Sequence, residues 1–380
     1  MMNNEKVRLL LVGIGGYAST YVNPLLDGKR PDAEIVGAVD VFPEGCKRLA
    51  ELKALGVPLF SDMSEFFAAG LKADLAVITT PIHLHARMIK TALAQGCHVL
   101  CEKPLCGDVN DIPTLKEARD AAGKYVGIGY QWSHSEAILA LKEDIMAGLY
   151  GDPVLLKTFV LWPRGYAYYG RGTGWAGKLR AKDGSLILDS VANNATAHYL
   201  HNILFVLGKT IDTSAMPETV DASLWRANDI ENYDTASIEL GFAGGARGLF
   251  IVSHATDKKQ EPIFDYQFTK GRITFAEDGG KMIRGTLADG TVKEYGNPFD
   301  NVTNKLYRAM DAVKDPTIRP VCGIEAAEPH ARVIARAQLT GVKTFPAEEI
   351  VEKEDGSGRY AAGLYEELCA AYKEGKMWRR

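Results

Sequence analysis

The sequence lacks the features that would place it in a membrane, on nucleic acid or outside the cell. No apolar run approaches the roughly 20 residues needed to span a bilayer. The 44 basic residues are outnumbered by 48 acidic ones, so no positive face for nucleic acid is indicated. The first residues are polar and lead straight into a predicted strand, without the apolar segment of a secretory signal. We therefore expect a cytoplasmic protein with neither a membrane nor a nucleic-acid partner.

Cysteine is also scarce, with six residues in a chain of 380, and no two of them form a C-x-x-C pair. Cys97, Cys101 and Cys106 are close in sequence. On a strand, which rises about 3.3 Å per residue, Cys97 and Cys101 would lie roughly 13 Å apart. That separation is too large for two ligands of one ion. The sequence therefore predicts buried free thiols, with no disulfide framework and no metal site.

The chain begins with a pattern typical of dinucleotide binding. The apolar run Val7–Val12 predicts a buried strand, which is followed by a G-x-G-x-x-A segment. The residues of this segment are Gly13, Ile14, Gly15, Gly16, Tyr17 and Ala18. Gly13 would allow a tight turn, Gly15 a close approach of the backbone to a pyrophosphate, and Ala18 close packing of helix on strand. The N-terminus of the following helix would then bind the phosphates.

An acidic residue lies where such a fold binds the adenosine ribose. A second strand is predicted over residues 34–41, and Asp40 near its end lies 22 positions beyond Ala18. That offset is close to the one expected for an acid that binds the ribose hydroxyls. No lysine or arginine follows Asp40 directly, and a lone carboxylate would repel a 2′-phosphate. The sequence favours NAD and disfavours NADP, although Asp40 could instead simply cap the next helix.

Strand and helix patterns continue to alternate through the first third of the chain. Further strands are predicted at 57–60, 73–80, 98–101 and 125–131, with helices at 83–95 and 112–122 between some of them. Such alternation indicates a parallel sheet. Residues 1–131 are therefore predicted to form a Rossmann domain with a doubly wound parallel sheet. The strand at 98–101 runs into Glu102 and Lys103, so Lys103 would lie at the sheet edge where ligands bind.

A different pattern follows in residues 132–380. Strands are predicted at 154–162, 220–227, 236–242, 246–253, 264–275, 281–287 and 291–295. Several are separated by short turns that contain glycine, which favours a mostly antiparallel, open sheet. Helices predicted at 189–207, 302–313, 324–339 and 362–372 would cover one face. We interpret this half as an α+β domain for substrate binding and oligomerisation.

Together these residues resemble the Gfo/Idh/MocA family, named for glucose–fructose oxidoreductase and inositol dehydrogenase. The resemblance rests on the glycine motif, on the segment from Thr80 to His85, and on the stretch 92–104, which ends in Glu102-Lys103-Pro104. It implies an NAD(P)-dependent oxidoreductase that transfers a hydride between nicotinamide and a hydroxyl of a sugar or an inositol-like polyol. It also implies a homo-oligomer, either a dimer or a tetramer.

The resemblance assigns roles to residues of the first domain. Lys103 would touch both the nicotinamide ribose and the reacting substrate hydroxyl, and Glu102 would position Lys103 and the cofactor. The bond between Lys103 and Pro104 is commonly cis at this place in the family. The other residues that it places in the cofactor site are Thr80, Pro81, His85 and Gln131.

The family's second signature is imperfect in this chain. Counting forward from Asp189 puts Asn193 at the position of the family's histidine, whereas counting back from Gly208 puts His198 there. On a continuous helix Asn194, His198 and His201 would share one face. We favour His198 as general base or substrate-orienting residue, with Asp189 or Asn194 orienting the substrate. Both His198 and His201 could instead be packed within the core.

Trp162 and Arg164 follow a predicted strand and could line a wall of the substrate site, since aromatic faces suit the C–H surfaces of sugars. Two other functions stay open at this point. One is a glycoside hydrolase that retains NAD and acts by transient oxidation and elimination. The other is a non-catalytic sensor that binds a dinucleotide. The Glu102-Lys103 pair disfavours a sensor, which needs no base beside a nicotinamide.

Overall fold

The computed structural model describes residues 6–171, 174–276 and 279–380. The chain divides into two compact units. The first unit comprises Met1–His134 and Asn301–Ile324, and the second comprises Ser135–Asp300 and Glu325–Arg380. The predicted division into 1–131 and 132–380 therefore places the first boundary within a few residues. It wrongly gives 301–324 to the second domain.

The first unit is built on a six-stranded sheet. Its strands are β1 (Val7–Val12), β2 (Ala33–Val39), β3 (Leu59–Phe60), β4 (Leu75–Ile78), β5 (His98–Cys101) and β6 (Val126–Ile128). They pair in parallel in the order β3-β2-β1-β4-β5-β6. The central strands are buried along nearly their whole length, as expected for a parallel sheet covered on both faces. The predicted doubly wound Rossmann sheet is confirmed.

The helices of the first unit are α1 (Ser19–Leu26), α2 (Leu49–Ala54), α3 (Met63–Ala68), α4 (His85–Ala94), α5 (Ile112–Ala122) and α9 (Asn304–Lys314), numbered along the whole chain. Helix α9 was expected to cover the second sheet. Instead Leu306, Ala309 and Met310 lie in the same apolar core as β1 and β4. The apolar period of a helix shows that one face is buried, but not which sheet buries it.

The second unit contains a nine-stranded sheet and a separate two-stranded one. The strands are β7 (Pro153–Leu161), β8 (Thr219–Arg226), β9 (Thr235–Gly241), β10 (Arg247–Ser253), β11 (Gln260–Phe268), β12 (Gly271–Phe275), β13 (Ile283–Leu287), β14 (Val292–Gly296), β15 (Val342–Thr344), β16 (Ile350–Glu352) and β17 (Arg359–Ala361). The large sheet has the order β14-β13-β12-β11-β7-β10-β9-β8-β15. In it β7 pairs in parallel with β10, and β8 with β15, while the other pairs are antiparallel. The predicted mostly antiparallel sheet is confirmed.

The predicted strand at 264–275 is wrong as a single element. It divides into the antiparallel pair β11 and β12, joined by a turn at Thr269 and Lys270. This turn lacks the Asn-Gly or Asp-Gly sequence that usually marks a hairpin. Gly271 follows the turn, and a Cβ there would lie 2.7 Å from the ring of Tyr150. The glycine therefore serves close packing as well as the turn.

The helices of the second unit are α6 (Glu136–Met146), α7 (Tyr166–Tyr169), α8 (Ala197–Val206), α10 (Ile324–Gln338, whose first residue belongs to the first unit) and α11 (Leu364–Glu374). The single helix predicted over 189–207 is wrong. Val191–Ala195 forms a π-helical turn, and Thr196 with φ −109° and ψ 11° separates it from α8. Side chains of Ser190 and Asn193 bond to nearby backbone, a known competitor of the α-helix. Within the described ranges, no helix is long and apolar enough to cross a membrane.

Candidate active site

The glycine turn after β1 contains two glycines with positive φ. Gly13 has φ +81°, and a Cβ there would lie 3.0 Å from Thr79, so a larger residue is excluded. Gly16 has φ +56°, and a Cβ on it would meet no atom within 4 Å. The space beside this part of the turn is therefore open to a pyrophosphate. Ala18 is buried where the turn enters α1, as its packing role predicts.

Asp40 lies beside this turn. Its Oδ2 accepts a hydrogen bond from the Ile14 amide at 2.8 Å, and its Oδ1 accepts one from the Phe42 amide at 2.8 Å. The carboxylate is partly exposed and each oxygen has a second lone pair. Asp40 can thus hold the turn and still accept from the ribose hydroxyls. The residues present fit a bound NAD.

Lys103 follows directly on Glu102 at the end of β5, and the bond from Lys103 to Pro104 is cis, as the resemblance implied. Glu102 is 6% exposed. Its Oε2 accepts from the Lys103 amide at 3.2 Å, and its Oε1 accepts from the hydroxyl of Tyr21. The backbone of Lys103 is therefore held by a buried carboxylate.

That carboxylate has a buried cation as its partner, which the sequence analysis missed. Lys305 on α9 is 0% exposed, and its Nζ lies 2.5 Å from Oε1 of Glu102. The same Nζ donates to the hydroxyl of Tyr17 at 3.1 Å and to the Gly129 carbonyl at 3.3 Å. The sequence offered one indication of this buried cation, namely a lysine next to the apolar residues of α9.

The network reaches the predicted cofactor site. Tyr17 of the glycine turn donates from its hydroxyl to Oε1 of Gln131 at 3.2 Å. Lys305 thus connects the turn after β1, the end of β5 and the segment after β6. Lys305 contacts Tyr17 and Glu102, and Tyr17 in turn contacts Gln131; all three were predicted to belong to the cofactor site.

The network favours charged forms of both Glu102 and Lys305. Burial alone would raise the pKa of Glu102, but Lys305, Tyr21 and Lys103 outweigh it, and the net shift is downward. Burial alone would lower the pKa of Lys305, yet Glu102 and Tyr17 raise it overall. The pair therefore remains ionised around neutral pH.

His85 lies buried between two backbone segments of the first unit. The ring is 1% exposed, with Nδ1 at 2.7 Å from the Pro104 carbonyl and Nε2 at 2.8 Å from the Thr80 carbonyl. Burial lowers its pKa and outweighs the two carbonyls, which raise it. A neutral ring has one N–H, so it donates to one of the two carbonyls. His85 thus links the segment after β4, including Pro81, to the segment after β5. Both ring nitrogens face backbone carbonyls of the protein, and a role of His85 beside the cofactor stays a prediction.

In the second unit, Asp189 and Asn194 are bonded to each other. Oδ1 of Asp189 accepts from Nδ2 of Asn194 at 2.7 Å, and Oδ2 accepts from the Gly177 amide at 2.6 Å. Asp189 is 2% exposed, whereas Asn194 is half-buried. The preceding Leu188 has φ +51°, an unfavourable conformation for a branched side chain and one that often marks functional segments.

The two histidines of α8 differ in surroundings. His198 keeps a small exposed surface at 8%, whereas His201 is fully buried and stacks on Phe205 with ring centroids 5.6 Å apart. Asn194 lies in the π-helical turn before α8, so the shared face predicted for Asn194 and the two histidines is wrong. Asn193 is buried and donates to the Leu188 carbonyl at 3.0 Å. The burial of His201 favours the packing alternative for that residue.

Trp162 and Arg164 lie just beyond β7. Trp162 donates from Nε1 to Glu261 at 2.8 Å, and the Arg164 guanidinium carbon is 5.6 Å from the Trp162 ring.

The predicted site residues are divided between the two units. The first unit holds Gly13, Ile14, Gly15, Gly16, Tyr17, Ala18, Asp40, Thr80, Pro81, His85, Glu102, Lys103 and Gln131. The second unit holds Trp162, Arg164, Asp189, Asn194, His198 and His201.

A parallel sheet with this glycine turn and acid defines an NAD-binding Rossmann domain. A family model described as an oxidoreductase family with an NAD-binding Rossmann fold matches residues 7–130. A second model, the C-terminal domain of the same family, matches residues 138–274. The chain belongs to the Gfo/Idh/MocA oxidoreductase family.

Relatives differ in how much of their length is matched. An inositol 2-dehydrogenase of Rubrobacter xylanophilus is 24% identical over 74% of this chain and 75% of its own. An oxidoreductase subunit named for UDP-kanosamine synthase in Amycolatopsis mediterranei is 29% identical over 64% of this chain. The match spans 65% of that relative, slightly less than two thirds of its length.

Solved structures share the fold over most of the chain. The WlbA dehydrogenase of Bordetella pertussis, in complex with NADH and UDP-GlcNAcA, aligns with a TM-score of 0.71 at 24% identity. The alignment covers 89% of this chain and 98% of that one. An inositol dehydrogenase homolog of Azotobacter vinelandii, complexed with NADH and myo-inositol, aligns with a TM-score of 0.70 at 17% identity, covering 89% and 96%.

Proposed function

We propose that this protein is an NAD-dependent dehydrogenase that oxidises a hydroxyl group of a sugar or an inositol-like polyol. The observation that carries the proposal is the position of Lys103. It follows the sheet strand whose end is held by Glu102, and Glu102 is joined through Lys305 to Tyr17 of the glycine turn. A cationic side chain is thereby anchored beside the residues that fit the dinucleotide.

Lys103 has two tasks in this proposal. Its ammonium group lowers the pKa of a neighbouring alcohol and, in its neutral form, accepts the hydroxyl proton. Bound NAD supplies the hydride acceptor. Glu102 and Lys305 hold the backbone from which Lys103 extends and thus act as positioning residues.

The residues of the second unit are proposed to recognise and orient the substrate. His198 retains access to solvent and can accept or donate a proton, while Asp189 holds the amide of Asn194. Trp162 offers an aromatic face beside Arg164. A sugar or polyol presents hydroxyl groups and C–H surfaces that match this set.

The relatives support this substrate class. Several inositol 2-dehydrogenases are among the curated relatives, and fold neighbours carry myo-inositol or UDP-GlcNAcA together with NADH. A cytoplasmic location and a homo-oligomer stay predictions, and light scattering of the purified chain tests the second.

The test is NADH formation on a panel of aldoses, sugar acids and cyclic polyols. Lys103→Met should lower kcat by about 10²- to 10⁴-fold, because it removes the proton acceptor, while NAD still binds. The exposed Lys53→Met, on α2, is the matched control and should leave kcat unchanged. Undiminished turnover by Lys103→Met would contradict the proposal.

The same panel separates the alternatives. A glycoside hydrolase acting by transient oxidation would cleave glycosides with NAD retained and without net NADH. A sensor would bind NAD with no turnover of any substrate. Either pattern would replace the dehydrogenase proposal.

A further inference from the structure

Five residues of the second unit form an arginine–aromatic cluster: Trp162, Arg164, Tyr168, Arg171 and Trp175. The guanidinium carbon of Arg164 lies 5.2 Å from the centroid of the Tyr168 ring, and that of Arg171 lies 3.6 Å from the same centroid. Arg171 also lies 4.8 Å from the Trp175 ring. Two cations thus share the ring of Tyr168.

Among the described residues, no acid contacts either of these two arginines. In the described ranges neither guanidinium has a carboxylate within ion-pair distance, and Nε of Arg164 is buried without a hydrogen-bond partner. Arg171 donates from one nitrogen to the Tyr168 carbonyl at 2.5 Å. Contact with aromatic faces stabilises a guanidinium but leaves its in-plane N–H donors unused. Two like charges at one ring repel each other, and a bound anion would relieve that repulsion.

The cluster also contains a hydrogen-bond acceptor. The His254 ring lies 5.4 Å from the Tyr168 ring and is 2% exposed. Burial, with Arg164 and Arg171 nearby, lowers the pKa of His254 to about 3, so the ring is neutral. Nδ1 lies 2.8 Å from the Trp162 carbonyl and therefore donates to it, which leaves Nε2 as an acceptor. Nε2 has no hydrogen-bond partner in the described structure.

The cluster adjoins the proposed substrate-orienting residues. The amide of Gly177, two residues beyond Trp175, donates to Oδ2 of Asp189 at 2.6 Å. Burial and then the Asp189 carboxylate raise the pKa of Tyr168. Backbone bonds hold the cluster in place, since the Arg164 amide donates to the His254 carbonyl at 3.0 Å. Arginine donors and a histidine acceptor thus lie together near Asp189.

We propose that Arg164 and Arg171 bind an anionic group of the substrate, either a carboxylate or a phosphate. This inference rests on the proposed dehydrogenase function and narrows it, because the preferred substrate becomes an acidic sugar derivative in place of a neutral sugar or polyol. Two guanidinium groups suit the paired oxygens of either anion. Nε2 of His254 accepts from a hydroxyl group of the same molecule.

The test compares glucose, glucuronate and glucose 6-phosphate as substrates of the full-length protein with NAD. The wild-type protein should prefer at least one acidic sugar over glucose in kcat/KM. Arg164→Gln and Arg171→Gln should each lower that preference by about 10- to 100-fold, the usual effect of losing a hydrogen bond to a charged group. Whether glucuronate or glucose 6-phosphate shows the larger loss distinguishes carboxylate from phosphate.

Arg180→Gln is the matched control, since Arg180 is exposed in the same unit and bonds to the Gly184 carbonyl. It should leave the preference unchanged. A wild-type protein that prefers glucose, or a preference that survives both cluster substitutions, would overturn the proposal.

A binding measurement separates this inference from the proposed function. Titration calorimetry of the NAD-loaded protein with glucuronate and with glucose 6-phosphate needs no turnover. Binding that is lost in the Arg164→Gln/Arg171→Gln double variant supports the anion site even if no sugar is oxidised. Absence of binding to both acids in the wild-type protein refutes the anion site, whatever the dehydrogenase activity.

Discussion

The two units hold the polar residues of their predicted sites in place by different interactions. In the first unit a fully buried lysine, Lys305, joins Tyr17, Glu102 and Gly129 through side-chain bonds across three strand ends. In the second, Asp189 follows a strained Leu188 and precedes a π-helical turn. In the first unit a buried ion pair fixes the positions of the polar side chains. In the second unit an irregular backbone segment positions them. We infer that the proposed cofactor site has a fixed geometry, whereas sequence changes can alter the proposed substrate site more easily.

The largest effect is expected from breaking the ion pair. Lys305→Met keeps most of the length of the side chain but leaves Glu102 buried without its cation. We expect a loss of about 3–5 kcal/mol in the free energy of unfolding, as for other broken buried pairs. Urea denaturation of the full-length chain measures it. A loss below about 1 kcal/mol would show that Glu102 is not stabilised mainly by Lys305.

The double variant Glu102→Gln/Lys305→Met is the control, since neutralising both partners should recover most of the stability.

The pH dependence of the stability follows from the pKa shifts of Glu102 and Lys305. The contribution of Glu102, whose pKa is lowered, is present above its unfolded value of about 4.3 and lost as pH falls through the folded value. That of Lys305, whose pKa is raised, is present below about 10.4 and lost as pH rises through the folded value. The difference between wild type and double variant should therefore be flat between about pH 5 and 10.

A smaller effect is expected in the second unit from Asp189→Asn. An asparagine has one acceptor oxygen, so it cannot accept from both the Gly177 amide and Asn194, and its own amide would face that of Asn194. We expect a loss of about 1–3 kcal/mol in stability, with a lower kcat/KM on the substrate found in the panel. Denaturation and steady-state kinetics measure the two.

The double variant Asp189→Asn/Asn194→Asp reverses the polarity of this pair and should restore its hydrogen bond. Recovery of stability would show that the pair acts as a unit. A double variant no better than the sum of the two single variants would show that the bond between them contributes little.

The smallest effect is expected from Asp40→Asn at the glycine turn. It removes the negative charge but keeps an acceptor for the Ile14 amide. The ratio of kcat/KM with NADP to that with NAD should rise about tenfold, because repulsion of a 2′-phosphate is lost. Asp40→Ala is the comparison, since it also removes the bonds to the turn and should weaken both cofactors. An unchanged ratio in Asp40→Asn would assign Asp40 to the turn alone.

How far the sequence could be interpreted also differs between the units. Local sequence patterns were enough to predict the Rossmann sheet and the role of Gly13. Both a buried strand and a turn with positive φ depend on residues that are neighbours in the sequence. They were enough for the antiparallel character of the second sheet as well. They failed at 189–207, where helical periodicity concealed the competition between Asn and Ser side chains and the backbone.

The sequence by itself determined that the chain carries an NAD-binding domain, with Glu102 and Lys103 at the end of a buried strand. Only the tertiary structure showed that residues 301–324 return to that domain and that Lys305 pairs with Glu102. The physical reason is the range of the interactions. Strand, turn and helix patterns arise from residues a few positions apart, whereas a buried charge is balanced by whichever partner the fold brings to it.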